Sequence, residues 1–137
     1  MTPEIYNALM KAIERSTHKR HMTGCVIATK KNRIISNGCS HASSFRLHEL
    51  HSIHAEIHAL GRGRHQELNN AIAYIGTRAR KSGNIVLSMP CLTCAIALRT
   101  AGIRNAFYTI SENQYGYIDL EEDLSHLKVY PKRIEIT

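Results

Sequence analysis

At 137 residues the chain has the length of one ordinary domain, and a domain of that size buries about 68% of its unfolded surface, so it needs no disulfide staples. Apolar residues make up 43% and charged residues 21%, close to globular averages and without the low hydrophobicity of a disordered chain, so a compact soluble domain is expected. Eighteen Lys and Arg against eleven Asp and Glu leave a formal net charge of +7, which favours anionic partners such as phosphorylated small molecules or nucleic acids.

The apolar stretches Ile85 to Met89 and Cys94 to Leu98 fall far short of the ~18 residues that a membrane span requires. The first residues alternate in a helical rhythm unlike an export signal, so a cytoplasmic protein with no membrane association is expected. Basic residues come in small groups, among them Lys30, Lys31 and Arg33, and Arg78, Arg80 and Lys81, rather than in a tail. No repeat or linker interrupts the chain, and a single domain is expected over residues 1–137.

Thr2 and Pro3 read as a helix start, and Ile5, Leu9, Ala12 and Ile13 recur at the spacing of one helical face, which predicts a helix from Pro3 to about Thr17. Cys25 to Thr29 and Arg33 to Ser36 are β-favouring runs joined by Lys30, Lys31 and Asn32, a predicted hairpin. Ser40 to Ser52 reads as a polar loop leading into a helix that begins near His54 and stops at Gly61. Ala71 to Thr77 alternates as a strand, Arg78 to Asn84 reads as a turn, and Ile85 to Met89 is extended again. Pro90 marks the entry to a helix from Cys91 to about Ala101, closed by Gly102. Ile103 to Ile110 and Tyr117 to Leu120 are predicted strands around the turn residues Asn113 to Gly116; Glu121 to Leu127 reads as a short helix and Arg133 to Ile136 as a last strand. The order predicts one α/β unit with helices packed on a sheet.

Two short motifs carry chemistry: His54-Ala55-Glu56 at one predicted helix start and Pro90-Cys91-Leu92-Thr93-Cys94 at another. Cysteines three apart on a first helical turn can point to one side, and the free N–H groups of a helix end favour their thiolate forms. With His54 they make three zinc-compatible donors, the number that leaves a catalytic zinc a position for water, whereas a structural zinc is closed by four. Glu56 comes two residues after His54, close enough to line the same pocket and pass protons without being a ligand. Cys25 and Cys39 read as small buried hydrophobes. His54 and His58 imitate the two ligands of a zinc protease, but that motif puts Glu directly after the first His, where this chain has Ala55. His41, His48, His51, His58 and His65 read as polar loop or helix residues.

These residues resemble the zinc-binding signature of the cytidine and deoxycytidylate deaminase superfamily, H-x-E followed by P-C-x-x-C. The likeness runs over roughly residues 3 to 110, taking in the hairpin of Gly24 to Gly38 and the stretch Ala95 to Tyr108 with Ala101-Gly102-Ile103-Arg104. It implies a three-layer α/β/α fold with a mixed sheet of about five strands, zinc on His54, Cys91 and Cys94, and Glu56 as proton shuttle. The implied reaction is hydrolytic loss of an exocyclic amino group, from C4 of cytosine or C6 of adenine. The motif context looks most like the branch acting on a free cytosine nucleotide such as dCMP or CMP. The alternative is a cytosine or adenine in single-stranded DNA or RNA, and a third reading is a non-catalytic zinc module whose fourth ligand is Cys25, His51 or His58. Relatives commonly assemble as homo-oligomers, which is expected here by analogy. Where many relatives carry an Asn that contacts the sugar, Gly38-Cys39-Ser40 puts a serine, so Ser40 or Asn37, with Ala55 in the motif, are the expected substrate contacts. Arg78, beside Arg80 and Lys81, is the expected phosphate contact.

Overall fold

The computed structural model describes residues 1–42 and 52–127. The predicted strand from Arg133 to Ile136 and most of the Ser40 to Ser52 loop lie outside the described residues. The elements run α1 (Pro3–Glu14), β1 (His21–Ala28), β2 (Ile34–Cys39), β3 (His41–Ala42), β4 (Ser52–Ile53), α2 (Ala55–Arg62), α3 (His65–Leu68), β5 (Ile72–Ala79), β6 (Ile85–Val86), α4 (Leu92–Thr100), β7 (Asn105–Ser111) and β8 (Gln114–Asp119). Among the described residues no helix is long and apolar enough to cross a membrane.

Thr2 starts α1 by accepting the Ile5 N–H on its hydroxyl at 3.2 Å, one of the four donors a helix start leaves open. The helix stops at Glu14, short of the expected Thr17, because Ser16 is drawn into a different contact: its hydroxyl bonds the Ser40 carbonyl at 2.6 Å. Six strands form one mixed sheet in the order β2-β1-β5-β7-β8, with β6 beside the end of β5; β1 is antiparallel to β2 and β5, β5 parallel to β7, and β7 antiparallel to β8. The sheet is thus one strand larger than expected, and β3 with β4 makes a separate two-stranded piece.

Alternation along the central strands assigns the two faces. Val26, Ala28 and Tyr74 pack with Ile5, Leu9 and Ile13 of α1 on one side, while Cys25, Ile27, Ala73 and Ile75 pack with Ala55, Ala59, Ala95 and Leu98 of α2 and α4 on the other. The result is the three-layer α/β/α arrangement expected from the sequence. α2 lies directly on β2 because Gly38 has no side chain: a Cβ there would stand 2.4 Å from the Ala59 nitrogen and 2.7 Å from the Ala55 oxygen. Since both clashes are with backbone, Gly38→Ala should destabilise the fold by about 2–3 kcal/mol, read as a lower urea midpoint; an unchanged midpoint would contradict this packing.

Three local expectations are corrected. β5 runs on to Ala79, paired along its whole length with β1 from His21 ↔ Ala79 to Ala28 ↔ Ile72, so Arg78 sits in a strand and the turn shrinks to the residues around Gly83, whose φ is +76°. β8 begins at Gln114, inside the predicted turn, because its pairing with β7 reaches Ser111 ↔ Gln114. Glu121 to Leu127 is not helical: Asp119 and Asp123 accept the backbone N–H of Glu121 at 3.0 Å and of Ser125 at 2.9 Å, local bonds that compete with a helical ladder. Leu120, Leu124 and Leu127 still bury into the core.

Candidate active site

Two helix starts meet on the α2/α4 side of the sheet. His54 is the N-cap of α2 and Cys91 the N-cap of α4; both are extended, at φ −71°, ψ 147° and φ −72°, ψ 166°, and neither spends its side chain on capping. Pro90 precedes Cys91 outside the helix, where its missing N–H costs no ladder bond. Both imidazole and thiol are therefore free to turn towards each other. The His54 Nδ1 stands 3.1 Å from the Cys94 Sγ and 3.7 Å from the Cys91 Sγ, and the donor atoms of all three residues lie within 4.8 Å of one another.

A zinc ion at its usual ~2.0–2.3 Å from N and S donors, with tetrahedral angles, sets neighbouring donors about 3.5 Å apart. The triad is already drawn to that scale, and its chemistry, one imidazole and two thiols, suits zinc. Cys91 and Cys94 are buried and His54 partly so. Hydrogen bonding from the Cys94 thiol, reinforced by His54, holds the Cys91 thiol down to about 4, while the same bond and burial push the Cys94 thiol up. The pair shares one proton across the neutral range. The bond to Cys91 in turn raises the His54 imidazole.

Glu56, on the first turn of α2, is 5% exposed. Burial raises its carboxyl above the usual range, opposed by its own backbone N–H and by His54. A carboxyl so placed is suited to take a proton and give it back. Cys25 lies close enough to feel Glu56; burial pushes its thiol well up, and it sits in the core. All four cysteines are free.

The other expected site residues have the following surroundings. Ala55 is wholly buried in the core under α2. Ser40 is tied to the N-terminal segment, its hydroxyl 2.7 Å from that of Ser16 and accepting the Thr23 N–H at 3.1 Å. Asn37 pairs with Val26 and so faces α1, where its side-chain oxygen accepts a bond from Arg15. Arg78 also faces α1, with Nη1 3.8 Å from Glu14 Oε1 and Nη2 3.7 Å from Met10 Sδ. His58 belongs to a different group, with Cys39 and His41, and the donor triad is completed without it.

A neighbour of the site that the sequence left unmarked is His18, in the loop between α1 and β1. Its imidazole, lowered mainly by burial, feels the charges of His21 and His54, and its Nδ1 accepts the backbone N–H of Arg20 and of His21, both at 3.2 Å. Arg80 fixes that loop by donating to the His18 carbonyl and the Ser16 carbonyl, each at 3.1 Å. Only folding brings residues 18, 54 and 80 together, and no local motif marks the first.

The family model for the cytidine and deoxycytidylate deaminase zinc-binding region matches residues 3–110. The chain belongs to this deaminase family. It is a zinc-dependent deaminase, and the zinc of the family has a fitting donor group in the triad. Solved deaminases share the fold. The cytidine deaminase of Burkholderia pseudomallei is 14% identical with a TM-score of 0.63, covering 93% of this chain and 99% of its own. That of Mycobacterium tuberculosis is 14% identical at 0.56, covering 93% and 98%. The dCMP deaminase of cyanophage S-TIM5 is 20% identical at 0.52, covering 82% and 88%. No curated protein is significantly similar to the chain.

Proposed function

We propose that this deaminase converts a cytosine nucleotide, dCMP or CMP in kind, to the uracil nucleotide, with His54, Cys91 and Cys94 holding zinc and Glu56 moving the protons. The observation that carries the reading is the open three-donor group with a buried carboxyl on the adjoining helical turn. A zinc held there supplies a Lewis acid that makes water nucleophilic at neutral pH. Glu56 takes a proton from the attacking water, delivers it to the ring nitrogen beside C4, and passes the next to the amino group; the C4–N bond breaks and ammonia leaves.

The nucleotide preference is supported by charge. The loop beside His54 carries Lys19 and Arg20, both exposed, and the net charge is +7. With Arg78 engaged on the α1 side, these two residues replace it as the phosphate contacts. A panel of cytosine, adenine and guanine nucleosides, nucleotides and oligonucleotides, scored by ammonia release from the zinc-loaded enzyme, tests this. Turnover of dCMP or CMP above that of the nucleosides is expected; preference for cytidine, for an adenine compound or for an oligonucleotide would overturn it.

Zinc loading should also be proton-linked. Coordination needs two thiolates and a neutral imidazole, and the metal-free cysteine pair keeps a proton at pH 7. Loading therefore expels at least one proton, and apparent affinity rises with pH. Calorimetry in buffers of different ionisation enthalpy reads this directly; a buffer-independent heat would contradict it.

A further inference from the structure

A second donor cluster lies at the edge of the sheet. Cys39 ends β2, His41 follows in β3 and His58 stands on α2, and one donor atom from each falls within 4.8 Å of the others. Cys39 is 7% exposed and both histidines are half-buried. The two imidazoles meet edge to face, with centroids 4.7 Å apart at 71°. None of these three residues takes part in the His54 triad.

Hydrogen bonding fixes both rings. The His41 Nδ1 is 2.9 Å from the Cys39 carbonyl oxygen, so it must donate, which leaves the Nε2 lone pair free. That is the arrangement that orients metal-ligating histidines. The His58 Nδ1 accepts the Cys39 N–H at 3.0 Å, so its lone pair already points at the residue that bears the thiol. Burial, then His41 and Arg62, hold this ring towards its neutral form.

We propose that Cys39, His41 and His58 form a second metal site, for a transition-metal dication of the zinc class, that clamps the end of β2 to the helix carrying Glu56. Two imidazoles and a thiol select such ions over magnesium or calcium, which take oxygen donors. The thiolate offsets part of the positive charge that Arg15 and Arg62 place near His58. Coordination by His58 exchanges the bond from the Cys39 N–H for a bond to the metal, so the Cys39 amide should report binding.

The test counts metal on the full chain, stripped and reloaded with zinc, after excess is removed. Wild type should hold two equivalents, and Cys39→Ser and His41→Ala one each with deaminase activity still measurable; Cys91→Ala should also hold one. With cobalt as probe, the sulfur-to-metal absorption that persists in Cys91→Ala should fall when Cys39→Ser is added, and the Cys39 amide resonance should shift with the second equivalent. A wild type that holds one equivalent, or a Cys39→Ser chain that still holds two, would overturn the site. His41 lies outside α2, so its variant keeps the test decisive should substitution of His58 disturb the helix.

Discussion

Glu56→Gln should retain zinc and fold while ammonia release falls about 10²–10⁴-fold, the usual contribution of a positioned proton carrier. The amide keeps the shape of the side chain but cannot accept the proton of the attacking water. A second readout separates chemistry from packing. Burial raises the Glu56 carboxyl in the fold, so the metal-free folded state holds this proton more tightly than the unfolded chain does. Its stabilising share is full below the ordinary carboxylate range and is lost as pH rises through the raised folded value. At pH 7 the Gln variant escapes that loss. Metal-free Glu56→Gln should therefore melt above metal-free wild type at pH 7, and the gap should close in acid. Activity within tenfold of wild type, or a lower melting temperature at pH 7, would sink the assignment.

The second large effect is expected at Cys91. Removing one of three donors leaves too few to hold zinc against a mild chelator, and Cys91→Ala should lose both the active-site metal and detectable deamination. Because Cys39, His41 and His58 are proposed to hold metal of their own, the clean measurement is in a Cys39→Ser background, where the doubly substituted chain should carry no zinc. Retention of a full equivalent there would mean that the ligand set is wrong. Cys94 loses the bond it shares with the Cys91 thiol but keeps the His54 Nδ1 at 3.1 Å.

The convergence of His54, Cys91 and Cys94 was legible in the sequence because both halves sit at helix starts, where the apolar periodicity after Cys91 and His54 sets the local backbone before any tertiary contact forms. The core faces of α1 and the central strands were legible for the same reason: period 3.6 and period two survive folding. What could not be read was the side of the sheet on which an isolated polar residue lands. Arg78 stands one residue after Thr77, whose hydroxyl is 2.8 Å from that of Thr23, and that single step turns its guanidinium to Glu14. Ser40 occupied the expected position, yet its hydroxyl was claimed by Ser16 from far back in the chain. His18 and the Cys39, His41 and His58 group depend wholly on long-range approach, which spacing does not encode.

Arg80 has a consequence for how such an enzyme diversifies. Its guanidinium, just past the end of β5, holds the main chain of the loop between α1 and β1 at the Ser16 and His18 carbonyls. The loop that carries His18, Lys19 and Arg20 is thereby anchored by a residue outside the His54, Cys91 and Cys94 group, so the proposed phosphate contacts can drift by exchange at this arginine while that donor group stays intact.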